Sequence, residues 1–255
     1  MGQEVYKINL AMIIMNYKFV DKAVFFPEEK ILVIADLHLG YEENLNIALP
    51  RSQFREIIDN LDKIFDYLDK SKEKIKEVVI LGDLKHSFSE NIDQEWGEIR
   101  RLFDFLKEKA GKIVLIRGNH DNYLASIASR YEIEVRDYYI KGDKAFIHGD
   151  KKILEIEDKK IKLWILGHFH PAIRLEEKAK REIYKCFLKG GYKDKEIVIL
   201  PSFFPLVEGQ DVSKYDIEDT HLAYNFNLKE FSVYVPVSPE EILEFGLASR
   251  VGKLG

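Results

Sequence analysis

The sequence predicts an α/β fold: a largely parallel sheet followed by a second sheet. Three observations carry this. Apolar runs of strand length alternate with helix-period segments between Ile31 and Ile116. The connections between them are short, as parallel βαβ units favour. From Tyr131 onward the pattern turns strand-rich, with Ile133 to Val135, Lys185 to Leu188, Ile197 to Leu200 and Phe231 to Val237.

The elements follow in order. Ile8 to Met15 is apolar, but Glu4 precedes it and no small-residue cleavage site follows before Tyr17, so it reads as an edge strand and not a signal peptide. Phe19 to Phe26 leads through the turn cluster Pro27-Glu28-Glu29-Lys30 into Ile31 to Ala35, a strand with no polar alternation and hence buried on both faces. Asp36 and His38, two apart where that strand runs out, should face the same way. After the polar connection Tyr41 to Pro50, Ser52 is the expected N-cap of a helix to about Asp69, with Phe54, Ile57, Ile58, Leu61, Ile64, Phe65 and Leu68 as its apolar stripe. Val78 to Leu81 is the next strand. A second helix from Asp93 to Lys109 carries Trp96, Ile99, Leu102, Phe103 and Leu106 and stops at Gly111. Ile113 to Ile116 follows, then a helix to about Arg130.

Nothing in the composition divides the chain, so its 255 residues are expected to form a single domain, 1–255. Apolar residues at 46% and charged residues at 33% describe a soluble globular protein, and no apolar stretch reaches membrane-span length. One cysteine, Cys186, excludes an intramolecular disulfide and a thiolate metal site, which suits the cytoplasm. Few Gln beside abundant Lys, Glu and Ile give the composition a thermophile cast. A net charge of -5 argues against nucleic-acid binding through the whole-molecule field, though not against a local basic patch. Neither G-x-G-x-x-G nor a P-loop occurs, which disfavours ATP and dinucleotide chemistry.

The chemistry gathers where strands end. Apolar runs stop at Asp36-x-His38, Gly82-Asp83, Gly118-Asn119-His120-Asp121, His148-Gly149-Asp150 and Gly167-His168-Phe169-His170, and five of the seven histidines lie in these motifs. In parallel sheets ligands bind at the carboxyl ends of strands. Carboxylate, imidazole and amide oxygen together suit manganese, iron or zinc and disfavour calcium.

This ordered set resembles the calcineurin-like metallophosphoesterase superfamily. The resemblance implies a four-layer sandwich, two mixed β-sheets face to face with helices outside, and two divalent metal ions at the strand ends. Manganese is the expected metal, with iron, zinc or nickel as alternatives. Carried over by motif, Asp36, His38 and His170 would hold one ion, Asn119, His148 and His168 the other, and Asp83 would bridge them. Hydrolysis would proceed by in-line attack of a metal-bridging hydroxide, with His120 protonating the leaving oxygen. His86, in Gly82-Asp83-Leu84-Lys85-His86, is similar to the SbcD-type nucleases and is read as a second contact to the scissile phosphate, against a loop histidine bonded to backbone. Asp121 either orients the His120 ring or N-caps the following helix. Gly167-His168-Phe169-His170-Pro171 and Leu200-Pro201-Ser202-Phe203-Phe204-Pro205-Leu206 resemble the archaeal SbcD-related and ligase-associated PdeM phosphoesterases.

The expected activity is therefore phosphodiester hydrolysis on nucleic acid, DNA or RNA, or on nucleotide diesters. The alternatives are a phosphomonoesterase, a cyclic-nucleotide phosphodiesterase or a nucleotide pyrophosphohydrolase. A non-catalytic scaffold of this fold is disfavoured by the intact ligand set. No membrane partner is expected, and oligomeric state is left open. Arg51 and Arg117 are candidates for steering phosphate. Phe203, Phe204 and Tyr192 are read as core aromatics before base-stacking ones, His221 is given no role, and the charged stretch Glu176 to Glu196, with Gly190-Gly191 as its turn, is read as a solvated hairpin.

Overall fold

Each of the five apolar runs that end in a ligand motif is a strand in the computed structural model, which describes residues 6–7, 16–44, 52–86, 93–177, 180–213 and 221–251. The expected strand over Ile8 to Met15 and the candidate Arg51 lie outside the described residues. In chain order come β1 (Tyr6–Lys7), β2 (Lys18–Val20), β3 (Ala23–Phe26), β4 (Ile31–Ile34), α1 (Tyr41–Asn44), α2 (Ser52–Lys70), β5 (Glu77–Leu81), α3 (Asp93–Lys109), β6 (Lys112–Ile116), α4 (Ala125–Arg130) and β7 (Glu134–Arg136). The second part holds β8 (Tyr138–Lys141), β9 (Lys144–Ile147), β10 (Leu163–Leu166), β11 (Pro171–Glu177), β12 (Lys180–Lys185), β13 (Phe187–Tyr192), β14 (Lys195–Ile199), β15 (Gln210–Asp211), β16 (Ser232–Ser238) and β17 (Glu241–Leu247).

Two large mixed sheets result. One has six strands in the order β2-β3-β4-β5-β6-β7, with β4 to β7 parallel. The other has eight, β1-β17-β16-β13-β14-β10-β9-β8, with β9, β10 and β14 parallel. β12, β11 and β15 form a small third sheet.

The sheets pack face to face through Val33, Val79 and Val114 on one side and Phe146, Ile165 and Val198 on the other. The opposite face of the six-stranded sheet, Leu32, Ile34, Val78, Ile80 and Leu115, lies under Ile57, Leu61 and Ile64 of α2 and Ile99, Leu102 and Phe103 of α3. This double burial is why β4 and β5 show no alternation. The outer face of the eight-stranded sheet, with Trp164, Leu166, Ile197 and Ile199, is covered by Ile156, Tyr224, Phe226 and Leu228 from 3-10 turns and loops. Truncating one of these buried aliphatics, such as Ile165, to alanine costs about 2–5 kcal/mol.

Three local expectations are corrected. Ser52 does not N-cap α2. Its hydroxyl donates to Glu42 Oε1 at 3.0 Å, and the same oxygen accepts the N–H groups of Ser52 and Gln53 at 3.1 and 3.2 Å, so the negative end of Glu42 caps the helix from α1. The chain is not one strand from Lys185 to Leu188: it changes sheets at Cys186, whose N–H donates to Pro171 O at 3.0 Å. Gly190 and Gly191 are no turn but part of β13, and a β-carbon on Gly190 would sit 2.3 Å from the Phe231 ring, so this glycine answers to packing.

Candidate metal centre

The loops after β4, β5, β6, β9 and β10 converge at one seam between the sheets. Strand alternation is not what brings Asp36 and His38 together, because β4 ends at Ile34 and both residues take positive φ, 55° and 47°. The intervening Leu37 is buried in the helix-side core. Asp83, His168 and His170 share the left-handed backbone, at φ 46°, 67° and 51°. Each such residue costs about 1–3 kcal/mol, and this concentration at one seam marks a site whose geometry is held by its surroundings.

Two clusters of ligating atoms face each other. In the first, His38 Nε2 is 3.4 Å from His170 Nε2, and His170 Nε2 is 3.5 Å from Asp36 Oδ1. In the second, His148 Nε2 is 3.0 Å from His168 Nδ1, 3.1 Å from Asn119 Oδ1 and 3.4 Å from Asp83 Oδ2. Asp83 Oδ2 also lies 3.8 Å from His38 Nε2 in the first cluster. Imidazole nitrogens that meet nitrogen to nitrogen beside carboxylate oxygens fit a shared divalent cation, and the mixed N/O donor set is that of manganese, iron, nickel or zinc.

Second contacts fix these side chains. His148 Nδ1–H donates to Leu81 O at 2.7 Å, which leaves Nε2 for the cluster. Asp36 accepts the His168 N–H at 2.9 Å through Oδ2, and Asp83 Oδ1 accepts the His120 N–H at 2.9 Å. The motif glycines permit this approach. Gly82, at φ 80°, would drive a β-carbon to 2.6 Å from His148 Nδ1, and one on Gly118 would meet Asp83 Oδ1 at 2.2 Å.

Charge is unevenly shared. Burial pulls His38 down to about 3, aided by His170 and His120 against the pull of Asp83. Burial would lower His148 too, but its contacts with Asp83, Asp36 and the Leu81 carbonyl outweigh it and raise this histidine to about 10. Burial and the charge of Asp83 lift Asp121 to about 7.

His120 and His86 lie beside the clusters. With His38 they form a third group whose ring nitrogens are within 4.8 Å of one another. The rings of His86 and His120 stack at 5.4 Å, and His120 Nδ1–H donates to the His86 carbonyl at 2.7 Å. That contact corrects both readings of Asp121. Its carboxylate does not orient His120, and α4 begins at Ala125 with no side-chain cap. Instead Oδ1 accepts the N–H groups of Leu84 and Lys85 at 2.9 and 3.3 Å, and Oδ2 accepts that of Gly118 at 2.9 Å. Asp121 thus ties the β5 loop to the β6 loop.

Arg117 pairs with Asp137 at 3.7 Å, the carboxylate alternative to steering phosphate. Phe203 is in the helix-side core, and Tyr192 packs on Phe226. Phe204 lines the site: its ring lies 5.4 Å from His38 and 4.8 Å from Tyr41, which in turn lies 4.6 Å from His86. His221 is exposed. Sequence reasoning missed Tyr41, Gln53, Glu95 and Glu98. Gln53 donates to His38 O at 2.7 Å, while Glu95 and Glu98 are buried at the start of α3. A signal for the two glutamates was present, since both continue the stripe of Ile99, Leu102 and Leu106 where apolar residues belong.

Residues 29–151 match the family model described as calcineurin-like phosphoesterase. No curated protein sequence matches. The crystal structure of Pseudomonas putida nuclease MPE is similar at 20% identity and a TM-score of 0.60, covering 91% of this chain and 97% of that one, and shows the same fold. Wild-type Vps29 complexed with Zn2+ from Entamoeba histolytica aligns at 16% identity over 85% of this chain and 99% of its own, with a TM-score of 0.38. A metallophosphoesterase from Sphaerobacter thermophilus aligns at 12% identity over 85% and 87%, with a TM-score of 0.32.

Proposed function

We propose that the chain, whose residues 29–151 match the calcineurin-like phosphoesterase family model, is a two-metal phosphodiesterase acting on nucleic acid or nucleotide diesters. The observation that carries the two-metal reading is Asp83 Oδ2, placed 3.8 Å from a ligand of one cluster and 3.4 Å from a ligand of the other. Asp36, His38 and His170 would hold the first ion, Asn119, His148 and His168 the second, and Asp83 both. Bound there, two divalent ions, manganese by first choice, lower the pKa of water and neutralise phosphoryl oxygens.

The chain's own groups do the rest. His120, with Nδ1–H committed to the His86 carbonyl, directs Nε2–H to the leaving oxygen and donates its proton as the P–O bond breaks. His86, stacked on it, contacts a phosphoryl oxygen. Tyr41 and Phe204 wall the site with aromatic rings on the side of His86 and His38. Such a wall suits a base or nucleoside next to the scissile phosphate, and this favours nucleotide diesters over simple monoesters. No helix of the described residues is long and apolar enough to cross a membrane.

The test is hydrolysis of labelled single- and double-stranded DNA and RNA with added manganese, beside bis-p-nitrophenyl phosphate and p-nitrophenyl phosphate. Cleavage of polymer and small diester, lost in His120→Ala, is the expected result. Preference for the monoester would overturn the diesterase reading.

A further inference from the structure

Two of the site's loops are braced by charged groups that the reaction above does not use. Glu95 and Glu98, in the first turns of α3, are 1% and 3% exposed, and Lys85 is 1% exposed. Burying charges together recovers only part of their lost hydration, so an apolar trio would serve the core as well. Their contacts supply a different reason. Glu95 Oε2 lies 3.5 Å from Lys85 Nζ, and its Oε1 accepts the backbone N–H of His86 at 3.1 Å. Glu98 Oε2 accepts the N–H of Gly40 at 3.2 Å. A β-carbon on Gly40 would meet Glu95 Cβ at 2.8 Å, so α3 presses directly on the β4 loop. That loop runs beside the β5 loop through Leu39 N to Leu84 O and His86 N to Leu39 O, both 2.9 Å.

Glu95 shares the His86 N–H with Leu39 O, and His86 is the residue whose carbonyl holds His120 Nδ1 at 2.7 Å. We infer that Glu95 is a positioning residue for proton donation: paired with Lys85, it anchors His86 so that the His86 carbonyl fixes the His120 ring with Nε2 toward the leaving oxygen. Glu95 never touches substrate or metal. Its effect travels through one backbone segment and one hydrogen bond. The inference rests on His120 acting as the general acid.

The test compares manganese-loaded wild type, Glu95→Ala, Glu95→Gln, His120→Ala and the Glu95→Ala/His120→Ala double variant. The substrates are aryl phosphodiesters whose leaving phenols become progressively less acidic. A poor leaving group needs a proton and p-nitrophenolate does not. Glu95→Ala is expected to lower kcat about 10- to 100-fold for the poorest leaving group, with far less loss for p-nitrophenyl and with KM and bound metal unchanged. His120→Ala should show the same selectivity with a larger loss, about 100- to 10,000-fold. The double variant should be no worse than His120→Ala alone, because the two residues act as one unit. Glu95→Gln keeps an acceptor for the His86 N–H and the side-chain volume. It gives a smaller loss of the same selectivity and stands in if the alanine variant does not fold. Uniform loss across leaving groups, or full additivity in the double variant, would make Glu95 merely structural and overturn the inference. Absence of leaving-group selectivity in His120→Ala itself would instead remove the general-acid reading on which the inference rests.

Discussion

The two sheets hold their halves of the candidate site by different means. Around the three loops after β4, β5 and β6, buried side chains tie loop to loop and loop to helix. Asp121 joins the second loop to the third, Gln53 of α2 holds His38 O, and Glu95 and Glu98 of α3 hold the N–H groups of His86 and Gly40. The two loops after β9 and β10 contribute His148, His168 and His170, and what orients them is the other half: His148 donates to Leu81 O, and Asp36 accepts the His168 N–H. One half is therefore a frame, and the other is registered against it. Changes in the frame should cost stability or proton transfer, whereas changes in the registered half should unload metal and leave the fold standing.

Asp83 sits in the frame but faces both halves, and it should give the largest effect. Asp83→Ala removes the oxygen that faces His38 and His148 and the acceptor of the His120 N–H, so bound metal and activity should both fall to background. Metal analysis after gel filtration checks this, and a full metal complement in the variant would show that the halves are not joined there. His120→Ala stands next. It should lose about 100- to 10,000-fold in kcat, the range of a general acid, while keeping its metal. Metal loss in this variant would move His120 into the ligand set.

The strands and the chemical type of each ligand could be read from the chain because both are local: an apolar run marks a strand buried on two faces, and a carboxylate or imidazole directly after it marks a strand end. What holds the frame was less legible because it is long-range. Asp121 resembles a helix cap in sequence, and only the approach of the β5 loop 36 to 37 residues away adds two backbone donors to the local one from Gly118. Ser52 has the right residue type for a cap, yet Glu42, ten residues earlier, takes the position. The convergence of Asp36 and His38 was expected for the wrong reason, since left-handed backbone does what alternation cannot once the strand has ended.

Asp121→Ala probes the frame at the next smaller scale. Three buried N–H groups would lose their acceptor, and stability should fall by about 1–3 kcal/mol in urea unfolding. Asp121→Asn, which keeps one acceptor oxygen, should lose less. His168→Ala, in the registered half, should leave the unfolding midpoint of the metal-free protein almost where it was. Equal losses in Asp121→Ala and His168→Ala would erase the distinction between frame and registered half.

The finest test separates the halves by their protons. At neutral pH His38, held near 3 by burial and its histidine neighbours, is already neutral and ready to ligate. His148, raised from 6.5 to about 10 by Asp83 and Asp36 against the effect of burial, carries a proton in the metal-free protein that an ion bound at this nitrogen, as proposed, would have to displace. Metal binding at pH 7 should therefore release about one proton per chain, measurable by calorimetry in buffers of different ionisation enthalpy. The release should vanish in His148→Asn and persist when His38 is replaced. The same shift gives the metal-free protein a pH dependence of defined sign. Because the folded state holds the His148 proton more tightly than the unfolded chain, its contribution to stability is fully present below pH 6.5 and is lost as pH rises through about 10. A loaded protein, whose His148 is already deprotonated, should lack this decline. If metal-free and loaded forms lose stability in parallel over that range, the proton lies elsewhere, and His148 is neutral before metal arrives, as His38 is.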